Sequence, residues 1–286
     1  MAVLFAQHGE FPLLARPLTG IPSAHRLVPR AGDILAQVRQ PSVPARSAGN
    51  SGSAPRVAPH MTETLKIDVW SDIACPWCYI GKRNLENGLA EASGDENAPR
   101  VDVVFHSFEL SPDTPVDFDG GEEEYLSQHK GISPDHAREM LDRVSGIAAD
   151  AGLPYRFDLL KHTNTVKAHE LLHFAKTQGR QAELTERLMS AYFTEGRHLG
   201  REDELVALAA DVGLDVDAAR GALQSGRHLP DVRADQAQAT AYGITGVPFF
   251  VIDGKYGVSG AQPAEAFAQI VRQVWAEHHV AVTAPV

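Results

Sequence analysis

Strand-like patterning marks two blocks of this chain, residues 64–110 and 243–258, and everything from Phe118 to Tyr242 reads as helix. In the first block Leu65, Ile67 and Val69 alternate with other residues, the period-2 signature of a half-buried strand. Trp77, Ile80, Leu85 and Leu89 then recur at helical spacing, to a stop near Gly94, and Val101–Leu110 returns as a strand. Strand, helix, strand at this spacing is a βαβ unit, which winds right-handed with its strands parallel. In the second block Gly246-Val247-Pro248 leads into the apolar run Phe249–Ile252. Asp253-Gly254 is a type I′ hairpin signal, and Lys255–Val258 is the return strand. Pro263 opens a final amphipathic helix through Phe267, Ile270, Val271, Val274 and Trp275. The two blocks can share one sheet only if the helices between them are an insertion. The expected fold is therefore α/β, βαβ…ββα with a large all-helical insertion.

Inside the insertion, Ser133-Pro134 starts a helix carrying Met140, Leu141, Val144 and Ile147 on one face, closed by Gly152. Leu153–Asp158 is a short extended link, and Thr165 caps a helix through Ala168, Leu171, Leu172 and Ala175 to Gly179. Helices over Gln181–Glu195 and Arg201–Val212, one after Asp217 and one ending near Tyr242 complete it. Glu122–Glu124 reads as a solvated, acidic helix start.

Residues 1–61 differ from the rest. Residues 1–60 hold six Arg, no Lys, two acids and eight of the eighteen prolines, with a Ser/Gly/Ala-rich run over Ser47–Ala54. Without sustained periodicity this segment is expected to be a disordered N-terminal extension. Its apolar pieces are too short for a secretory signal, and its basic residues follow them instead of preceding them. An Arg-rich transit peptide is one reading; a leader before a true start at Met61 is the favoured one. The net charge of +4 over residues 1–60 leaves −15 for the remainder of a chain whose total is −11. That balance disfavours nucleic acid and anionic membrane as partners, and no apolar run reaches membrane-spanning length. The expected domains are a sheet-bearing domain over 62–117 and 243–280 and an inserted helical domain over 118–242.

Cys75 and Cys78 are the chain's two cysteines, spaced C-x-x-C where the first strand runs into its helix. A helix N-terminus offers unpaired N–H groups and a positive dipole end, and both favour a thiolate, the species that attacks disulfides. Pro76 falls at the first helical position, where a missing N–H costs nothing. The pair reads as a redox dithiol. Cys75 is the expected nucleophile, exposed and carrying the thiolate; Cys78, one turn in, is the expected resolving thiol. A structural zinc site lacks its second half, since no further Cys is present. Two inert buried thiols fit the Pro-Trp insert poorly, and a structural disulfide closing so small a ring constrains little of the unfolded chain. His169 and His173 share a helix face at i, i+4, as metal ligands can, but with no third ligand in the pattern core-edge packing is the favoured reading, and no metal is expected. The remaining histidines look solvated. Two cysteines and no more suit a reducing compartment, so a cytoplasmic location is expected.

Four stretches carry a family resemblance: Ser71–Lys82 (Ser-Asp-Ile-Ala-Cys-Pro-Trp-Cys-Tyr-Ile-Gly-Lys), Phe108–Asp113, Asn164–His169 and Gly243–Phe250. With these the chain resembles the DsbA-like branch of the thioredoxin superfamily, and most closely its FrnE-type members, over about Thr64–His278. The resemblance implies a thioredoxin fold with a helical insertion. It implies a thiol–disulfide oxidoreductase, with isomerase activity open to it, whose partners are protein or peptide thiols and disulfides, with glutathione as a redox partner and no bound cofactor. It also implies that Pro248 is cis and lies against the dithiol, with Val247, after Gly246, offering its backbone to an extended substrate. Asn164 and His169 are implied to shape the substrate cleft.

Trp77 stands where strongly oxidising relatives hold a histidine, which implies a less oxidising couple. The superfamily's buried acid, six residues before the first cysteine, is replaced by Val69. His106 and Glu109 on the neighbouring strand are substitutes for it, each with a solvated or hydrogen-bonded strand-end role as the favoured alternative. A second functional class stays open, a glutathione-dependent small-molecule enzyme like the related hydroxychromene-carboxylate isomerases and kappa-class transferases. Those hold a serine at the position of Cys75, so retention of both cysteines counts against it. A third is an accessory or chaperone-like protein with a vestigial dithiol. Monomer and homodimer both fit the last helix.

Overall fold

The computed structural model describes residues 16–17, 64–94 and 98–283. Thr64–Ser71 (β2) and Arg100–Ser107 (β3) pair in parallel, in register from Thr64↔Arg100 to Ser71↔Ser107. Phe249–Ile252 (β4) pairs antiparallel to β2, and Tyr256–Ser259 (β5) antiparallel to β4. Arg16–Pro17 (β1) adds a two-residue antiparallel rung outside β5. The sheet order is β1-β5-β4-β2-β3. The sequence alternation did not foresee that rung, and the rest of the extension expected to be disordered lies outside the described residues. The hairpin turn is the one foreseen: Asp253 and Gly254 have φ of 55° and 63°, as a type I′ turn demands.

One face of the sheet is apolar. Leu65, Ile67 and Val69 join Phe250, Ile252 and Val258 beneath helices Pro76–Ala92 (α1) and Ala264–Thr283 (α9). These helices cross so closely that a Cβ on Gly88 would stand 2.5 Å from the Ala264 carbonyl oxygen, so only glycine fits there.

Between β3 and β4 run helices Glu122–Lys130 (α2), Pro134–Asp150 (α3), Val166–Thr177 (α4), Gln181–Glu195 (α5), Glu202–Asp211 (α6), Val216–Ser225 (α7) and Leu229–Ala241 (α8). They pack against the sheet instead of standing apart from it. Gln181 offers both ends of its side-chain amide to edge strand β3, accepting from Phe105 N–H at 3.2 Å and donating to Phe105 C=O at 2.9 Å. An exposed strand edge leaves such groups unpaired; here α5 satisfies them. Helix α8 covers the second face, with Ala239 against Trp70 and Val251.

Local details differ from expectation. Helix α7 begins at Val216, because Asp215, not Asp217, accepts from Ala218 N–H as N-cap. At α4 the Thr165 side chain makes no cap, and Asn164 Oδ1 accepts from Val166 N–H instead. Strand β3 stops at Ser107, three residues before Leu110, whose N–H turns to Asp72 Oδ2 at 2.8 Å. Glu122 is no solvated acid, since its carboxylate meets His162 Nδ1 at 2.7 Å; Glu124 closes on Gly121 N–H. Several histidines read as solvated have carboxylate partners: His162, His198 with Asp117, and His228 with Asp231. Glu122 and Asp117 lie far along the chain from His162 and His198, out of reach of local patterning, whereas Asp231 is three residues after His228 in the first turn of α8. Among the described residues no helix is long and apolar enough to cross a membrane.

The second face buries a charged cluster. His106 Nε2 lies 2.7 Å from Asp68 Oδ1 and Nδ1 2.7 Å from Asp235 Oδ1, while its ring stacks on Trp70 at 4.5 Å. Asp235 also accepts from Ser107 N–H and sits 3.1 Å from His173 Nε2. Two carboxylates on two ring nitrogens require both to donate, so His106 is an imidazolium. Burial opposes its charge, but the bonds to Asp235 and Asp68 prevail and raise its pKa above the usual histidine value. Burial likewise opposes the charges of Asp68 and Asp235, and bonding to His106 prevails and holds both below the usual carboxylate range.

A raised histidine contributes stability that is complete below the unfolded value, about 6.5, and lost as pH climbs through the folded value. The lowered aspartates contribute stability present above their unfolded value and lost as pH falls through the folded one. Thermal melts against pH are expected to show an alkaline decline that His106→Gln removes, together with a loss of about 3–5 kcal/mol at neutral pH from two buried carboxylates left without their cation. An unchanged alkaline limb in the variant contradicts the assignment.

Candidate dithiol active site

Cys75 is the N-cap of α1, with extended φ −91° and ψ 115°, and Pro76 takes the first helical position. Cys75 N–H donates to Asp72 C=O at 3.2 Å, and Cys78 N–H donates to Cys75 C=O at 3.0 Å, so the first turn places Cys78 directly behind Cys75. Both are free thiols. The Val247–Pro248 bond is cis, and the Val247 carbonyl oxygen stands 3.7 Å from Cys75 Sγ. Gly246 and Val247 are half-buried beside it, as are Pro76 and Trp77.

Cys75 is not exposed as expected. It is 0% exposed and Cys78 2%, within an apolar cluster that includes Ile73, Tyr79, Tyr155, Val247 and Ala261. The link between α3 and α4 supplies what local patterning could not foresee: Tyr155 donates its hydroxyl to Pro76 C=O at 2.7 Å and stacks on Phe193 at 4.6 Å. Burial, then the charges of Cys75, Tyr79 and Cys78, drives the Tyr155 phenol strongly upward, so it stays a neutral donor. A disulfide reaches Cys75 only when the groups packed over it give way.

The two sulfurs are inequivalent. Burial pushes the Cys78 thiol well up, and the adjacent Cys75 pushes it further; Asp72 N–H and the Ser71 hydroxyl oppose this only in part. Cys78 therefore rests as a thiol behind its partner.

Asn164 and His169 are near the site but differently employed from the implied cleft roles. Asn164 donates to the carbonyls of Pro112 and Thr114 and accepts from Val166 N–H, so it ties the loop after β3 to the start of α4. His169 is 1% exposed, with Nε2 3.4 Å from Asp72 Oδ1, and its ring is inside the protein. Asp72 also accepts from Ala74 and Leu110 N–H. Burial opposes its charge, but His169 and those amides outweigh burial and hold its carboxyl below the usual range. His169 and His173 share no ligand, since each faces its own aspartate. His106 is bonded by two aspartates, and Glu109 by Arg233 and Gln236. These partners hold both ring nitrogens of His106 and one carboxylate oxygen of Glu109, the two residues considered as stand-ins for the missing acid at Val69.

Gly81 on α1 lets the proline loop approach: a Cβ there would stand 2.9 Å from Pro248 Cγ and 3.4 Å from Ala261 Cβ. Gly81→Ala is expected to cost about 1–3 kcal/mol through overpacking, less up to about 1 kcal/mol of helix propensity. Denaturant unfolding checks this, and a stabilised variant contradicts the close fit.

Comparison with known proteins agrees with this geometry. A family model for the DSBA-like thioredoxin domain matches residues 66–272. YwbO of Bacillus subtilis (strain 168), an uncharacterized protein, is 31% identical over 215 residues, spanning 73% of this chain and 96% of its own. The crystal structure of a probable DsbA oxidoreductase from Streptomyces coelicolor superposes with a TM-score of 0.70 at 39% identity, over 78% of this chain and 92% of that one. The cytosolic disulfide reductase DsbM from Pseudomonas aeruginosa, solved with GSH, shares the fold at a TM-score of 0.53 and 18% identity, over 73% and 98% of the two chains. The chain belongs to the DSBA-like thioredoxin domain family.

Proposed function

We propose that the protein is a thiol–disulfide oxidoreductase acting on protein or peptide disulfides in a reducing compartment, with reductase or isomerase character and glutathione as the small thiol that resets it. The observation that carries this reading is the pair of free thiols at the start of α1, with Cys75 Sγ 3.7 Å from the Val247 carbonyl. In this reading the Cys75 thiolate attacks one sulfur of a substrate disulfide and the other sulfur leaves as thiolate. Cys78 then attacks Cys75 Sγ, closing the Cys75–Cys78 disulfide and releasing the substrate's second sulfur reduced. The backbone of Val247 is the edge along which an extended peptide aligns. Trp77 puts no charge between the cysteines, so nothing in the dipeptide favours the reduced, thiolate-bearing form whose stability makes a couple strongly oxidising. The cytosolic reductase DsbM, solved with glutathione, supports the choice of direction and of small thiol.

Insulin reduction and refolding of scrambled ribonuclease test this. Cys75→Ser is expected to fall to background in both, and Cys78→Ser to accumulate a mixed disulfide with substrate on Cys75. Equilibration with glutathione is expected to give a potential of about −180 to −270 mV, and a value near −120 mV contradicts the reading. Equal activity of wild type and Cys75→Ser removes it.

A further inference from the structure

Cys75 has no exposed surface, yet a substrate disulfide has to reach it. Among the groups packed around the two cysteines, most are tied by hydrogen bonds to the sheet, to α1 or to the turn before it. Val247 and Pro248 lead straight into β4, and the Pro248 carbonyl accepts from Gly260 N–H at 2.9 Å. Leu110 N–H donates to Asp72 Oδ2 at 2.8 Å, and Phe108 N–H to the Ser71 carbonyl at 3.1 Å. Beside Ala261, the Gln262 carbonyl accepts from the Asn84 side chain of α1 at 2.9 Å.

Residues 153–158, between α3 and α4, are held differently. Leu153 and Tyr155 are buried in the same apolar cluster as the cysteines and Phe157 packs against it, while Pro154, Arg156 and Asp158 are exposed. Such alternation marks extended chain, but the segment belongs to no helix and no strand. Its backbone link to α5 is Arg156 N–H, which donates to the Phe193 carbonyl at 2.7 Å. Its link to α1 is a single side-chain bond, from the Tyr155 hydroxyl to the carbonyl of Pro76 between the two cysteines, at 2.7 Å. Segments with so few backbone bonds open at lower free energy than the helices and strands around them.

We propose that residues 153–158 form a strap that gates the dithiol, and that Tyr155, latched on Pro76, is the positioning residue that sets how often Cys75 is uncovered. This deepens the dithiol reading above by naming what moves before the thiolate attacks. When the Tyr155 hydroxyl leaves Pro76, its ring withdraws together with Leu153 and Phe157, which lie on the same side of the strap. Water takes over both ends of the broken bond, so the latch is weak enough to open in the folded protein. The Val247 side of the site stays in place throughout, because it is fixed to the sheet.

Amide-resolved hydrogen exchange at Arg156 and iodoacetamide labelling of Cys75, both on the reduced full chain, test the gate. Tyr155→Phe keeps the ring and removes the latch. Both rates are expected to rise together in this variant, about two- to tenfold, the weight of one net hydrogen bond. The pH midpoint of Cys75 labelling is expected to stay where it is, since access has changed and acidity has not. Cys78 is expected to remain unlabelled. Labelling that fails to quicken overturns the gate. So does a quickening that comes from a moved midpoint or that spreads to Cys78, the mark of general loosening. In wild type the Arg156 amide is expected to exchange faster than the interior amides of α3 and α4, which flank the strap. Exchange as slow as theirs overturns the gate without any variant. A wild type labelled on Cys75 that leaves insulin unreduced overturns instead the dithiol reading beneath it.

Discussion

Two sulfur atoms placed one helical turn apart and away from water cannot both carry charge, and that exclusion shapes everything around them. Burial alone raises the cost of either thiolate. Cys75 stands where α1 begins, beside amide N–H groups that have no carbonyl partner within the helix. At the rear sulfur the charge of its neighbour counts against ionisation. A stepwise division of labour follows: Cys75 captures, Cys78 waits protonated, and release depends on getting one proton out of a closed interior.

The helices between β3 and β4 are part of this arrangement. Tyr155 reaches from the α3–α4 link to hold Pro76, Gln181 seals the edge of β3, and α4 brings His169 against Asp72. On the far face of the sheet, α8 supplies the Asp235 that His106 requires. Removing such helices would expose buried charges and strand edges together, so the insertion and the sheet form one folding problem. Three close approaches fix α1 itself: Gly88 under Ala264, Gly81 under Pro248, and Cys75 against the Val247 carbonyl.

Much of this was legible in the sequence, and the residues show where legibility stopped. Alternation at Leu65, Ile67 and Val69, Pro76 after Cys75, and Asp253-Gly254 each encode a local backbone choice, and each was realised. The family resemblance placed Pro248 beside Cys75 across more than 170 residues, which no local pattern could do. Burial was misjudged where it depends on distant chain: Cys75 is covered by segments remote from it in sequence, so a helix-start cysteine that local reading left exposed is enclosed. His162 and His198, read as solvated, were misjudged for the same reason, since Glu122 and Asp117 reach them from remote segments. Spacing put His169 and His173 on one face of α4, but their aspartates arrive from a loop and from α8. The pairing of Arg16–Pro17 with β5 had no signal at all in a segment without periodicity.

The asymmetry between the two thiols is the claim on which the rest stands, and site-resolved alkylation tests it most directly. Reduced protein treated with iodoacetamide at neutral pH, then digested and mapped by mass spectrometry, is predicted to carry the label on Cys75, with Cys78 modified only after unfolding. Equal labelling of both cysteines, or a Cys75 that stays unmodified for as long as Cys78, would contradict the account.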